Sequence, residues 1–145
     1  MNEQLISFDV AKLAKEVGFD WLCLYHYHKE KLYPNWTENG SSTDVEFEAD
    51  VEDLLENYNN KRLVGKYCSV PSQSFLQKWL RDEHGIAVHI STDITLSWVY
   101  TIQSLHPQAT YTGSTITSVE VFSTYEESLE KGLYRALKLI NIKPN

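Results

Sequence analysis

With 145 residues, the chain has the length of one ordinary domain, enough to enclose a sizeable hydrophobic core. Hydrophobic residues make up 42% of it and charged residues 23%, while six glycines and four prolines are too few for a low-complexity chain, so disorder is excluded as the default state. The formal net charge of −7 lies unevenly: residues 1 to 60 hold 13 acids and 4 bases, which is −9, and residues 61 to 145 hold 7 acids and 9 bases, which is +2.

Ser7 is placed to cap a helix from about Phe8 to Val17, with Asp9 in the first turn, where the helix dipole favours a carboxylate. Val10, Leu13, Ala14 and Val17 fall on one face at helical spacing, and Gly18 supplies a stop. These first twenty residues contain no apolar run suited to a secretory signal or a membrane span, so a cytoplasmic location without membrane contact is expected. Residues 21 to 28, aromatic-rich and short, predict a strand with Trp21, Cys23, Tyr25 and Tyr27 on one face and Leu22, Leu24, His26 and His28 on the other.

The segment from Pro34 to Asp44 reads as a surface loop, since it carries Asn39-Gly40-Ser41-Ser42. From Asp44 to Glu56 seven carboxylates occur with no base among them, a stretch that repels nucleic-acid phosphates. Within it, about Asp50 to Tyr58 predicts a short helix with Val51, Leu54, Leu55 and Tyr58 inward. A further helix is predicted to start near Pro71, a residue suited to a first turn, with Phe75, Leu76, Trp79 and Leu80 as its apolar stripe and Gly85 as its end. Strands follow at Ile86 to Ile90, at about Thr95 to Ile102 with Leu96, Trp98, Tyr100 and Ile102 on one face, and at Thr115 to Phe122. Thr124 and Glu127 form a T-x-x-E capping box for a last helix that buries Leu129, Leu133, Ala136, Leu137 and Ile140.

The expected architecture is therefore a single α+β domain. An antiparallel sheet of three to four strands carries helices on one face, and the C-terminal half runs helix, strand, strand, strand, helix. The strand at 21 to 28 is a candidate fourth strand at an edge of that sheet.

Three segments, SFDVAKLAKEVGF, CSVPSQSFLQKWLRDEHGIAV and STYEESLEKGLYRALKLI, resemble a family of small uncharacterised proteins encoded by phages and prophages of gut bacteria. The most distinctive piece runs from Gln73 to Arg81. These are mostly helix-core and capping residues, so the resemblance implies a mobile-element origin and transfers no catalytic residue.

His26 and His28 share a strand face and are the weak candidates for a metal site, with His84, His89 and Cys68 as further donors, but no zinc-type motif completes a set and no metal or other cofactor is expected. Cys68, ahead of the helix near Pro71, is a candidate nucleophile against the commoner role of a buried thiol, which is the reading given to Cys23 as well. No nucleophile elbow, phosphate loop or dinucleotide fingerprint is present, so the chain reads as non-catalytic. The C-terminal element order is similar to that of double-stranded RNA-binding domains, with Lys61, Arg62 and Lys66 as the local basic cluster. Glu126, Glu127 and Glu130 nevertheless occupy the first turns of the last helix, where a phosphate would have to approach.

What remains is protein binding, to a host or phage partner, through the acidic residues Glu46, Glu48, Glu52 and Asp53 and the aromatic anchors Tyr33 and Trp36. A virion component is an alternative. Oligomeric state is not legible, because a core strand and a dimer-interface strand show the same alternation.

Overall fold

The computed structural model describes residues 3–35, 55–59 and 67–141. The first helix, α1 (Phe8–Glu16), begins where Ser7 holds an extended conformation and its hydroxyl accepts the Val10 amide at 3.4 Å. Asp9 in its first turn and Lys15 in its last complement the dipole. Val10, Leu13 and Ala14 are buried as expected, joined by Ala11.

The strand β1 (Tyr25–His28) turns back at once into β2 (Lys31–Pro34), and β3 (Tyr67–Val70) pairs antiparallel along its other side. This sheet has the order β2-β1-β3, so β1 does not extend the C-terminal sheet; it forms the centre of a separate one. The β1–β2 connection is a two-residue loop, Lys29-Glu30, with φ of 54° and 70°. Such a mirror-image turn is normally marked by Asn-Gly or Asp-Gly, and the absence of that signature hid the hairpin in the sequence.

Residues 55–59 correct another expectation. Glu56 exchanges both backbone hydrogen bonds with Cys23 at 2.9 Å, and Tyr58 and Asn59 form a turn, so the C-terminal part of the predicted Asp50 to Tyr58 helix is extended backbone. The rest of that prediction lies outside the described residues, as does the loop beyond Asn35.

The second helix, α2 (Gln73–His84), is capped by Ser72, whose hydroxyl accepts the Phe75 amide at 3.2 Å. Pro71 thus precedes the cap and is not in the first turn. Gly85 ends the helix at φ 65°, where any Cβ would lie 2.6 Å from Nε2 of His106. The chain then builds β4 (Ile86–Thr92), β5 (Trp98–Ser104) and the two-residue β6 (Ile116–Thr117), in spatial order β4-β5-β6.

Val88 pairs with Ile102 and Ile90 with Tyr100, so the apolar residues of β4 and β5 share a face. The predicted second strand starts three residues late: Leu96 has φ 65° and stands in the hairpin tip, off the face it was expected to share with Trp98, Tyr100 and Ile102. The predicted third strand is interrupted, with Phe122 rejoining Trp98 through an isolated bridge.

The last helix, α3 (Tyr125–Asn141), packs with α2 against β4, and also against β5 and α1. Leu129, Leu133, Ala136, Leu137 and Ile140 are buried as expected. Half of the predicted capping box forms: Thr124 Oγ1 accepts the Glu127 amide at 3.1 Å, while the Thr124 hydroxyl donates to Oε1 of Glu127 at 3.4 Å. The described fold is α+β, with three helices and two antiparallel three-stranded sheets among the described residues.

The two sheets are joined through α1 and the strand-like residues before it. Ile6 donates to the Pro71 carbonyl at 3.2 Å, and the Gln73 amide donates to Gln4 at 2.8 Å. Glu130 on α3 completes the junction: Oε2 accepts the Ser7 amide at 2.8 Å, and Oε1 accepts Nε2 of the buried Gln73 at 2.9 Å.

Two substitutions on α3 test this packing. At Gly132 a Cβ would come within 2.8 Å of Val88 Cγ1 and 3.0 Å of Tyr100 Cβ. Ala offers about 1 kcal/mol of helix propensity, but overpacking costs roughly 1–3 kcal/mol, so Gly132→Ala lowers the melting temperature. Ser128 is fully buried and its hydroxyl has no hydrogen-bond partner among the described residues. Ser128→Ala therefore leaves the melting temperature unchanged or raises it, and a clear drop in a thermal melt would contradict this.

Candidate functional site

The strand alternation that sends Tyr25, Tyr27, Cys68 and Val70 toward the core sends His26, His28, Tyr67 and Ser69 to the opposite face of the first sheet. Register then brings specific rings together. His26 lies across from Tyr33 on β2 and from Ser69 on β3, and His28 across from Lys31 and Tyr67. The His28 and Tyr67 rings stack at 4.3 Å with planes 4° apart, and His26 and Tyr33 stack at 5.8 Å. Lys31 Nζ sits 5.6 Å from the Tyr33 ring centroid.

The fifth ring comes from outside the sheet. The turn at 57–59 is fastened by the Tyr58 amide to Ser69 Oγ at 2.7 Å, by the Ser69 amide to Asn59 Oδ1 at 2.9 Å, and by Asn59 Nδ2 to the Phe19 carbonyl at 2.9 Å. Tyr58 is thereby laid on His26, with centroids 3.9 Å apart and planes 14° apart. Burial, then the nearby Glu56 carboxylate, pushes the Tyr58 phenol above its ordinary value.

Asn35 sets the imidazole of His26. Its Nδ2 donates to the Cys23 carbonyl at 2.6 Å, which turns Oδ1 toward His26 Nδ1 at 2.8 Å. An amide oxygen only accepts, so Nδ1 is the donor in this bond, which fixes the orientation of the ring. The result is a tyrosine–histidine face, with planar groups at the centre and a lysine at its edge.

The expectation that His26 and His28 share a face is met. Their rings, however, are committed to tyrosine stacks, and no group of three or more histidine, cysteine or acidic side chains among the described residues is arranged to hold a metal ion. Cys68 pairs with Tyr27 and belongs to the other side of the sheet, His84 bonds Thr110 Oγ1 at 2.7 Å, and His89 is exposed on β4. The further donors therefore do not converge on the pair.

Nor does Cys68 fit a nucleophile. Burial pushes its thiol up, against the opposing pull of Lys15 and Lys12, and burial drives Cys23 up to about 12. Cys68 borders a cleft of about 670 Å³ lined also by Phe8, Lys12, Lys15, Glu16, Lys29 and Glu30, in which Lys15 Nζ donates to the Tyr67 carbonyl at 2.7 Å. Three lysines and two glutamates line it, so the cleft has no strong preference for either sign of ligand.

Of the residues singled out for partner binding, Tyr33 belongs to the ring face. Trp36, Glu46, Glu48, Glu52 and Asp53 lie outside the described residues, as do Lys61, Arg62 and Lys66 of the nucleic-acid reading. Tyr58 and Tyr67 were missed, because neither a turn fastened by side chains nor a four-residue strand has a periodic signature. No protein-family model, curated protein or solved structure matches the chain.

The buried thiols and phenols yield a pH prediction. Cys23, Cys68, Tyr27 and Tyr58 all have folded pKa values raised above ordinary values of 9.0 for the thiols and 10.0 for the phenols. In the unfolded chain these groups ionise first, so their contribution is complete below about pH 9 and is lost as pH rises through the folded values. The melting temperature should fall progressively above about pH 9. Iodoacetamide at neutral pH should label neither cysteine in the native protein and both after unfolding; rapid native labelling of Cys68 would restore it as a nucleophile.

Proposed function

We propose that the chain is a phage- or prophage-type accessory protein that acts as a non-catalytic protein-binding module. The carrying observation is the face formed by His28, Tyr33, Tyr58 and Tyr67 around the buried His26, in which aromatic area is held rigid by register, stacking and the Asn35 bridge. Tyrosine supplies large contact area at low entropic cost and dominates interface hot spots, and pre-stacked rings lose little further freedom on binding. The acidic residues Glu46, Glu48, Glu52 and Asp53 join this reading on sequence grounds, as the charged part of a surface suited to a basic partner. The phage assignment rests on the resemblance of the three segments quoted above.

A protein partner is favoured over nucleic acid by the start of α3. There the backbone donor of Glu127 is taken by Thr124, and the Glu130 carboxylate by Ser7 and Gln73, so the acids of these turns have structural work in the fold and still repel phosphate.

The test is affinity recovery from lysate of the cell that carries the gene, followed by mass spectrometry. Tyr33→Ala with His28→Ala should lower recovery of the specific partner at least about tenfold, as expected for hot-spot truncation, with the fold retained by circular dichroism. Reversing Glu46, Glu48, Glu52 and Asp53 to Lys should do the same, and unchanged recovery in both variants would count against the reading. In mobility-shift assays with duplex RNA and DNA no complex should form even at low salt; a shift that weakens steeply with salt would support the nucleic-acid alternative.

A further inference from the structure

The second sheet carries an independent surface at its β4–β5 end. Ile94 is 99% exposed and Leu96 82% exposed at the hairpin tip, although both belong to a tightly built loop. The Asp93 carboxylate accepts the Thr95 amide at 2.9 Å, the Thr95 hydroxyl at 2.7 Å and the Ser97 amide at 3.1 Å. The Asp93 amide donates to the Ser97 carbonyl at 2.9 Å, and Leu96 donates back to Asp93 at 3.0 Å. Leu96 is held in the left-handed region at φ 65°, which a branched side chain adopts only at a cost and which glycine would satisfy freely.

A second loop repeats the pattern beside it. Ser118 bonds Tyr100 and Phe122 bonds Trp98, so five residues of one chain span three of the other, and the excess bulges outward. That bulge is tied by Ser118 Oγ to the Glu120 carbonyl at 2.9 Å, and it leaves Val119 98% and Val121 54% exposed. Single exposed aliphatic residues are ordinary. Four of them stand on two hydrogen-bonded loops that both adjoin Trp98 at one end of the sheet.

Charge identifies the occupant. From Asp93 to Glu130 the sequence has five carboxylates and no lysine or arginine, and the next base, Lys131, lines a cleft with Phe122, Glu126 and Glu127. Asp93 and Glu120 lie in the two loops themselves, and Trp98 meets Tyr125 edge-on at 5.6 Å, which brings the first turn of α3, with Glu126 and Glu127, to the same end. A second copy of this chain meeting it through the same end would set acid against acid, and an anionic bilayer would be repelled.

We infer that this end of the sheet docks onto a different protein, through an apolar pocket on that partner framed by lysines and arginines. Ile94 and Leu96 enter the pocket and the surrounding carboxylates meet its rim. The surface is separate from the tyrosine–histidine face, so either assignment can fail without the other.

The test is photo-crosslinking in the native cell from p-benzoylphenylalanine at position 94, with position 103, exposed on β5, as control. The crosslinked protein is identified by mass spectrometry, purified and titrated calorimetrically at low and moderate salt. A heterologous adduct at position 94, at least about tenfold weaker binding by Ile94→Ser with Leu96→Ser, and affinity that falls with salt support the inference. The melting temperature of the double variant, unchanged because both side chains are in solvent, shows that the fold is retained. Adducts only between copies of this chain, adducts to lipid, no excess over position 103, or affinity indifferent to the double variant or to salt would overturn it. So would a partner lost with Tyr33→Ala but kept by the Ile94 and Leu96 variant, which would assign binding to the first sheet alone.

Discussion

The carboxylate of Glu130 is where the separate parts of this fold are held in one arrangement. Its two oxygens accept from the Ser7 amide, one residue before α1, and from the Gln73 side chain, the first residue of α2, while Glu130 itself stands on α3. Nε2 of Gln73 also donates to the Glu126 carbonyl at 3.0 Å, so a buried amide is satisfied by two acceptors on one helix. Hydrogen bonds to a charged acceptor contribute roughly 1.5–3 kcal/mol, and leaving a buried partner unsatisfied costs a similar amount. The starts of all three helices are thereby located with respect to one another.

From that junction the rest of the packing follows. With its start fixed, α1 lays Val10, Ala11, Leu13 and Ala14 against α3 and β3, and its small residues allow close approach. The inner side of the first sheet is then covered, and the apolar core runs without a break from Cys68 and Val70 through α1 to the α3 stripe and on to Val88 and Ile102. The outer sides of both sheets are left to other uses. On the first sheet that side holds the stacked rings. The second sheet presents His89, Gln103 and Thr117 outward, and its most exposed aliphatic residues, Ile94, Leu96 and Val119, stand in the loops at one end.

The two surfaces differ in how their side chains are held. Rings on the first sheet are positioned by strand register, with Asn35 and the Tyr58 turn as supports. Aliphatic residues on the second are positioned by loops closed through Asp93 and Ser118. Asp93 is itself partly exposed, and its carboxyl is held below the usual range chiefly by the Thr95 hydroxyl, so the charge that shapes the tip also contributes to the acidic character of that end.

The sequence by itself determined α1, α2, α3 and the α+β class, because caps and periodic burial are local properties. Ser7 and Gly18, Gly85, and Thr124 with Glu127 act within a few residues of where they stand, and the buried stripe of α3 follows from its spacing alone. The order of elements after Pro71 was legible for the same reason, although the cap proved to be Ser72 and the strand at Thr95 began only at Trp98. Tertiary structure decided what depends on pairing across distance. The β1–β2 hairpin has no turn signature in Lys29-Glu30, and the choice of β3 as a partner for β1 joins residues some forty positions apart. The ring face was half visible, since alternation put His26 and His28 together, but Tyr58 reaches His26 through side-chain bonds to Ser69 and Asn59 that no period encodes. Leu96 shows the limit most plainly: alternation grouped it on one face with Trp98, Tyr100 and Ile102, and only the hydrogen-bonded geometry around Asp93 turned it into solvent.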